Sequence, residues 1–188
     1  MEPAELLNIL SVAEKLKCNT RHSYTSSGRH ESVAEHSWRL ALMALLTRAE
    51  FPGADMDKVL RMCVIHDLGE AFTGDIPAFE KSEGDGQREE AILEDWVAGF
   101  PAPYGPELLA LLREMEAQET LEARIYKALD NLEAVIQHDE ADIATWLPLE
   151  YDLQLTYGAE RVKCAPYLQA LKAEIDRRTR QKIAEAQT

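Results

Sequence analysis

From Pro3 to Leu16 the apolar positions Leu6, Ile9, Leu10, Ala13 and Leu16 recur at helical spacing, which predicts a helix with Pro3 in its first turn. Residues 18–31 break that pattern: they are polar and non-periodic, and read as a long loop of the kind that often carries function. Ser32-Val33-Ala34-Glu35 has the form of a capping box, so a second helix starts there with His36 in its first turn. Leu40, Met43, Ala44 and Leu46 continue it to about Glu50, where Phe51-Pro52-Gly53 stops it. Asp55 is placed to cap a third helix, Met56 to about Leu68, with Gly69 as its terminator and His66-Asp67 in its last turn. Residues 73–77 carry turn chemistry, and Ser82 to Gly86 reads as a mobile surface stretch. Gln87 to Gly99, Pro106 to Gln118 and Thr120 to about His138 predict three more helices; Leu149 to Leu155 is ambiguous, and Ala159 to about Ala186 is helical, with Pro166 a new start or a kink. No internal repeat and no useful strand-like alternation interrupts this series, so the expected class is all-α: one compact helical bundle over residues 1–188, with a motif-bearing core at about 5–140 and a helical extension at about 141–188.

Composition narrows the partners. At 188 residues and 46% hydrophobic the chain is long enough for one continuous core. A net charge of −14 argues against a nucleic-acid polymer, which needs a basic surface, but a small phosphorylated substrate stays open because a cation and a few Arg or Lys reverse the potential inside one cleft. Cys18, Cys63 and Cys164 are odd in number and show no C-x-x-C pairing, which fits a reducing compartment. The acidic N-terminus is unlike a signal peptide, and no apolar run approaches the ~18 residues of a membrane span. The expectation is a soluble cytoplasmic protein without a membrane partner.

Four scattered side chains then stand out: His36, the adjacent His66-Asp67, and Asp130. Two imidazoles and two carboxylates suit a borderline first-row divalent ion and leave positions open for water and substrate, which points to catalysis. His66 and Asp67 follow the apolar Val64-Ile65, and Asp130 lies between Leu129 and Leu132, so these charged groups need a partner. Taken singly, each has a bland reading as a hydrogen-bonded or surface residue.

The surrounding letters add to this. Glu31-Ser32-Val33-Ala34-Glu35-His36-Ser37, the run from His66 through Asp67, Gly69, Glu70, Gly74 and Asp75 to Pro77, and Lys127-Ala128-Leu129-Asp130-Asn131-Leu132-Glu133 together resemble the HD-domain phosphohydrolase superfamily. Its signature is a His, a His-Asp pair and a distant Asp, all on helices. The series is similar to the subfamily of bacterial 5′-deoxynucleotidases and their eukaryotic relatives, over roughly residues 5–140. That resemblance implies one divalent ion (Mn, Fe, Co, Ni or Zn) on His36, His66, Asp67 and Asp130, a (deoxy)nucleoside 5′-monophosphate as substrate, and a homodimer. It implies Glu70 as the acid/base group and Asp75 near the sugar and reaction centre; solvated helix-end and turn-forming roles are their alternatives. Arg21, Arg29 and Lys127 are the candidates for the phosphate. The resembled enzymes place Trp after the Arg, whereas this chain has Arg21-His22, which opens the sugar and base preference. His22, His30 and His138 as ligands of a second ion are disfavoured; Asn131, Glu133 and Trp146 are further candidates. Cyclic-nucleotide or alarmone hydrolysis by the same core, or a nucleotide sensor without turnover, are the alternative functions.

Overall fold

The computed structural model describes residues 1–187. Helix α1 (Pro3–Ala13) runs into a 3-10 turn, and is followed by strands β1 (Thr20–Tyr24) and β2 (His30–Ser32), then α2 (Val33–Leu46), α3 (Met56–Ile65) and the short α4 (Glu70–Thr73). The second half holds α5 (Glu83–Ala98), α6 (Tyr104–Ala117), α7 (Leu121–Glu140), α8 (Glu150–Thr156) and α9 (Pro166–Ala186). No helix among the described residues is long and apolar enough to cross a membrane.

α7 is the axis of the bundle, with α2, α3 and α9 packed around it. Leu40 and Met62 meet Ile125, Leu129, Leu132 and Leu168 in a fully buried core, each large side chain contributing about 1.5–3 kcal/mol by leaving water. The segment after residue 141 shares that core through Val162, Leu168 and Ile175. One face of α7 is different: Asp130, Glu133 and Gln137, at spacings of three and four, are buried and polar.

Three local readings change. The polar stretch after Cys18 is an antiparallel hairpin, not a loop, with Thr20 opposite Ser32 and Tyr24 opposite His30. Its ladder is irregular between Thr20 and Tyr24, and such bulges re-aim side chains; here the segment carries Arg21 and His22. Gln137 Nε2 ties the hairpin to α7 by donating to the Tyr24 carbonyl at 2.7 Å. Helix α3 ends at Ile65, one turn earlier than its apolar pattern suggests, and Gly69 is right-handed helical rather than a left-handed terminator. Its smallness answers a close approach instead: a Cβ there would stand 2.7 Å from Cγ of Glu89 on α5. Finally, Ser82 caps α5 with a full capping box to Asp85, so residues 83–86 are helical; Pro166 starts a new helix.

Candidate metal centre

α2, the turn after α3, and α7 bring four expected side chains to one point. His36 Nε2 lies 3.2 Å from His66 Nε2 and 3.1 Å from Asp130 Oδ1. Asp67 Oδ2 stands 2.9 Å from His66 Nε2 and 3.7 Å from His36 Nε2, and His66 Nε2 is 3.5 Å from Asp130 Oδ1. The capping box of Ser32 and Glu35 sets where α2 begins and so where His36 falls. His66 Nδ1 lies 3.0 Å from the Cys63 carbonyl, which fixes the proton there and leaves Nε2 facing the cluster.

The donor set fits a divalent cation. Two nitrogens held ~2.1 Å from one ion at tetrahedral or right angles stand roughly 3.0–3.4 Å apart, whereas two neutral Nε2 lone pairs at that spacing repel. Asp67 Oδ2 is buried without a hydrogen-bond partner although both imidazoles are near, as for ligands that share an ion rather than one another. The pocket also calls for positive charge. Burial works to strip the proton from His66, but Asp67 and Asp130 outweigh it and push the imidazole up to about 10. Burial likewise disfavours the Asp67 carboxylate, yet His66, His36 and Arg21 hold it well below the usual range.

Glu133 supports this arrangement from behind. It is fully buried on α7, takes a short hydrogen bond from His36 Nδ1 and accepts from Arg39 Nε. Such a carboxylate fixes the tautomer of a ligating imidazole. Glu31 joins the same network, 3.4 Å from Arg21 Nε, with burial and then Glu133 pushing its carboxyl up to about 7. Arg39 escaped the sequence reading and Glu31 was visible only as a letter in the His36 block, because nothing local marks a group buried behind a ligand; Glu133 was a further candidate without a role.

Glu70 opens α4 and is 5% exposed, with Oε2 buried and unpaired. Burial, then the Asp67 and Asp75 carboxylates, push it up to about 10. Arg21 bridges this group: Nη1 is 3.6 Å from Asp67 Oδ2 and 3.8 Å from Asp75 Oδ1. Two cavities flank the cluster. One, of about 420 Å³, is lined by His66, Asp67, Lys81, Tyr126 and Lys127; the other, of about 100 Å³, by Arg21, Asp75, His22 and His138. Lys127 Nζ donates to Asp130 Oδ2 at 2.8 Å.

Arg29 is the candidate that the structure does not bring in. Its guanidinium forms a two-pronged pair with Glu35 on the surface, at 2.5 and 2.9 Å, beyond the bulge that carries Arg21 inward. The His30 ring lies against Tyr24, tilted by 33° with centroids 4.0 Å apart, and His22 and His138 line the smaller cavity with Glu150.

The family model of the HD domain matches residues 13–172 of this chain. The 5′-deoxynucleotidase HDDC2 of Bos taurus is 32% identical over 139 residues, covering 72% of this chain and 67% of the relative. The 5′-deoxynucleotidase hdd1 of Schizosaccharomyces pombe is 28% identical over 148 residues, covering 73% and 74%. Among solved structures, one described as a predicted metal-dependent phosphohydrolase from Magnetospirillum magnetotacticum superposes with a TM-score of 0.73 at 28% identity over 93% of each chain. The cyanophage S-2L HD phosphohydrolase, solved with dA and one catalytic zinc ion, shares the fold at a TM-score of 0.61 and 21% identity, over 96% of this chain and 98% of its own.

Proposed function

This chain belongs to the HD-domain family of metal-dependent phosphohydrolases, and from that premise we propose that it hydrolyses (deoxy)nucleoside 5′-monophosphates, deoxynucleotides foremost, to nucleoside and phosphate. The observation that carries the reading is the convergence of His36, His66, Asp67 and Asp130 beside a buried, unpaired Glu70 and the cationic Arg21. Those four residues would hold one divalent ion, and their nitrogen and oxygen donors accept Mn, Fe, Co, Ni or Zn. When bound, such an ion supplies Lewis acidity toward phosphoryl oxygens and lowers the pKa of nearby water.

The chain's own groups do the rest. Arg21 and Lys127, one in each flanking cavity, offset charge on the non-bridging oxygens and orient phosphorus for in-line attack by water. As the P–O5′ bond breaks, Glu70 gives the proton on its carboxyl to the departing O5′ and regains one from the attacking water. Asp75 positions Arg21 and lines the cavity toward which the nucleoside departs. Pairing with a second copy is part of the same reading; the exposed Leu6, Leu7 and Leu10 of α1 offer apolar surface for it. The cytoplasm suits the three unpaired cysteines.

The test is phosphate release from matched ribo and 2′-deoxy 5′-monophosphates, 3′-monophosphates and cyclic diesters, with Mn, Co or no metal. Metal-dependent release from the 5′-monophosphates, reduced by about 10²–10⁴ in Glu70→Ala and at least as far in Asp67→Ala, is expected. Metal binding with no turnover of any 5′-monophosphate would sink the reading.

A further inference from the structure

Arg21 stands among three carboxylates. Its Nη1 is 3.6 Å from Asp67 Oδ2 and 3.8 Å from Asp75 Oδ1, beyond the reach of about 2.7–3.2 Å that an N–H···O bond needs. Its Nε is 3.4 Å from Glu31 Oε2, and these two atoms are each buried without a hydrogen-bond partner. Two opposite charges that face one another unmet inside a protein form a pair just short of closing, and each has reason to close it. The hairpin puts them there. Thr20 is opposite Ser32, so Arg21 and Glu31 follow as cross-strand neighbours at the start of the irregular stretch. Ser32 then caps α2, which fixes Glu31 just ahead of the helix that carries His36, at 2% exposure.

Glu31, His36 and Glu133 each offer one atom within 4.8 Å of the others, but a second ion is not what they suit. Arg21 and Arg39 already bring two cations to the two glutamates. Glu133 is taken up by His36 Nδ1 and Arg39 Nε, which leaves Arg21 as the cation for Glu31. The side of the guanidinium that Glu31 faces matters. Asp67 and Asp75 draw Arg21 by its Nη1 toward the ligand cluster, and a closed pair with either would occupy a donor that phosphate needs. A guanidinium has one Nε–H and four Nη–H donors, so a carboxylate at Nε restrains the group without using any Nη.

Resting on the reading of Arg21 as a phosphate-binding group, we propose that Glu31 is a positioning residue of this reaction: its carboxylate holds the Arg21 guanidinium by Nε, against the pull of Asp67 and Asp75, and keeps the Nη groups free for the non-bridging phosphoryl oxygens. Glu31 acts through Arg21 and not on substrate or ion. The two neighbouring buried glutamates then have separate tasks, Glu133 on a metal ligand and Glu31 on the phosphate-binding cation.

The experiment compares the full-length parent with Glu31→Gln, Arg21→Lys and the double variant at about pH 8, where the Glu31 carboxyl is ionised. Calorimetry with inorganic phosphate reads anion affinity of the Mn-loaded protein, chelator competition reads Mn affinity, and 2′-deoxy-AMP hydrolysis gives kcat/KM. Glu31→Gln is expected to weaken phosphate about 10-fold, the low end of the worth of a hydrogen bond to a charged group, with kcat/KM falling alongside and Mn affinity kept. The double variant should bind phosphate no worse than Arg21→Lys alone, because the two residues act as one unit. Phosphate affinity unchanged in Glu31→Gln, losses that add in full, or an equal loss of Mn affinity would each overturn the inference; the last would join Glu31 to Glu133 behind the ligands. The Arg21 Nε–H resonance of the Zn-loaded parent, assigned by its loss in Arg21→Lys, needs no change at Glu31. It should move downfield as phosphate is added and the pair closes, and a resonance that stays in place overturns the inference. A parent that binds phosphate yet hydrolyses no 5′-monophosphate strikes the nucleotidase reading instead, and the binding and resonance measurements still decide the role of Glu31.

Discussion

Replacing Glu133 by Gln tests whether the ligand cluster depends on what stands behind it. The side chain is fully buried and receives hydrogen bonds from His36 Nδ1 and Arg39 Nε. Gln keeps the volume and one carbonyl acceptor but turns an NH₂ toward the other donor, so one of the two bonds is lost and Arg39 faces no charge there. Removing one partner of a buried pair costs about 3–5 kcal/mol, and we place Glu133→Gln near the lower end because half of the acceptor survives. Loosening the partner of a ligating imidazole lowers metal affinity by about 10- to 100-fold, or ~1.4–2.8 kcal/mol. Chelator competition with Mn or Zn reads the affinity, and urea unfolding of the metal-free protein reads the stability. Because Glu133 acts through His36, the affinity losses of Glu133→Gln and His36→Gln should fail to add in the double variant. Wild-type affinity in Glu133→Gln, or full additivity with His36→Gln, would refute the reasoning: Glu133 would then be a structural ion pair only.

Other outcomes follow from the same structure. Burial is the main reason the folded His138 lies below its ordinary 6.5, with His22 and Lys182 reinforcing it against Glu150. The unfolded chain therefore takes a proton first as pH falls, so this contribution to stability is whole above about 6.5 and is lost below it. Urea midpoints between pH 7.5 and 5 should fall less steeply in His138→Gln than in the parent; equal slopes would rule the histidine out. Gly69→Ala brings a Cβ 2.7 Å from Glu89 Cγ and forces aside a side chain paired with Lys81, costing about 1–3 kcal/mol. Glu89→Ala should restore most of that loss, and a thermal melt of the two variants together decides it. Mn at a hundred times its dissociation constant should raise unfolding free energy by about 2.7 kcal/mol, an effect that Asp130→Ala abolishes; stabilisation unchanged in that variant would remove Asp130 from the ligand set.

How much of this was legible in the letters depends on range. The starts of α2 and α3 were, because the Ser32–Glu35 capping box and the Asp55 cap act through hydrogen bonds three residues apart; the equally local Ser82–Asp85 box was masked by Gly84 and Gly86. Apolar spacing marked α1, α2, α6 and α7 for the same reason: a helix writes its period into neighbouring residues. The four ligand-type residues were legible through residue chemistry and motif, Glu70 and Asp75 through motif alone, and Arg21 as one of three cations suited to a phosphate. Readings that needed a second segment were not. The hairpin over 20–32 is polar and pairs through its backbone, so no alternation announces it. Gly69 reads as a helix terminator until Glu89 is seen across from it. Arg21 and Arg29 were equal candidates, and only the irregular ladder sends one toward Asp67 while Glu35 keeps the other at the surface. Glu31, Glu133, Arg39 and the His22–Glu150–His138 edge exist as groups only after α7, α8 and the hairpin pack together. The sequence by itself determined where α2 and α3 begin and which atoms can bind a cation, since both are local properties of side chains. Tertiary structure alone decided which charges share a buried space, because burial and electrostatic partnership depend on distances between segments more than a hundred residues apart in the chain.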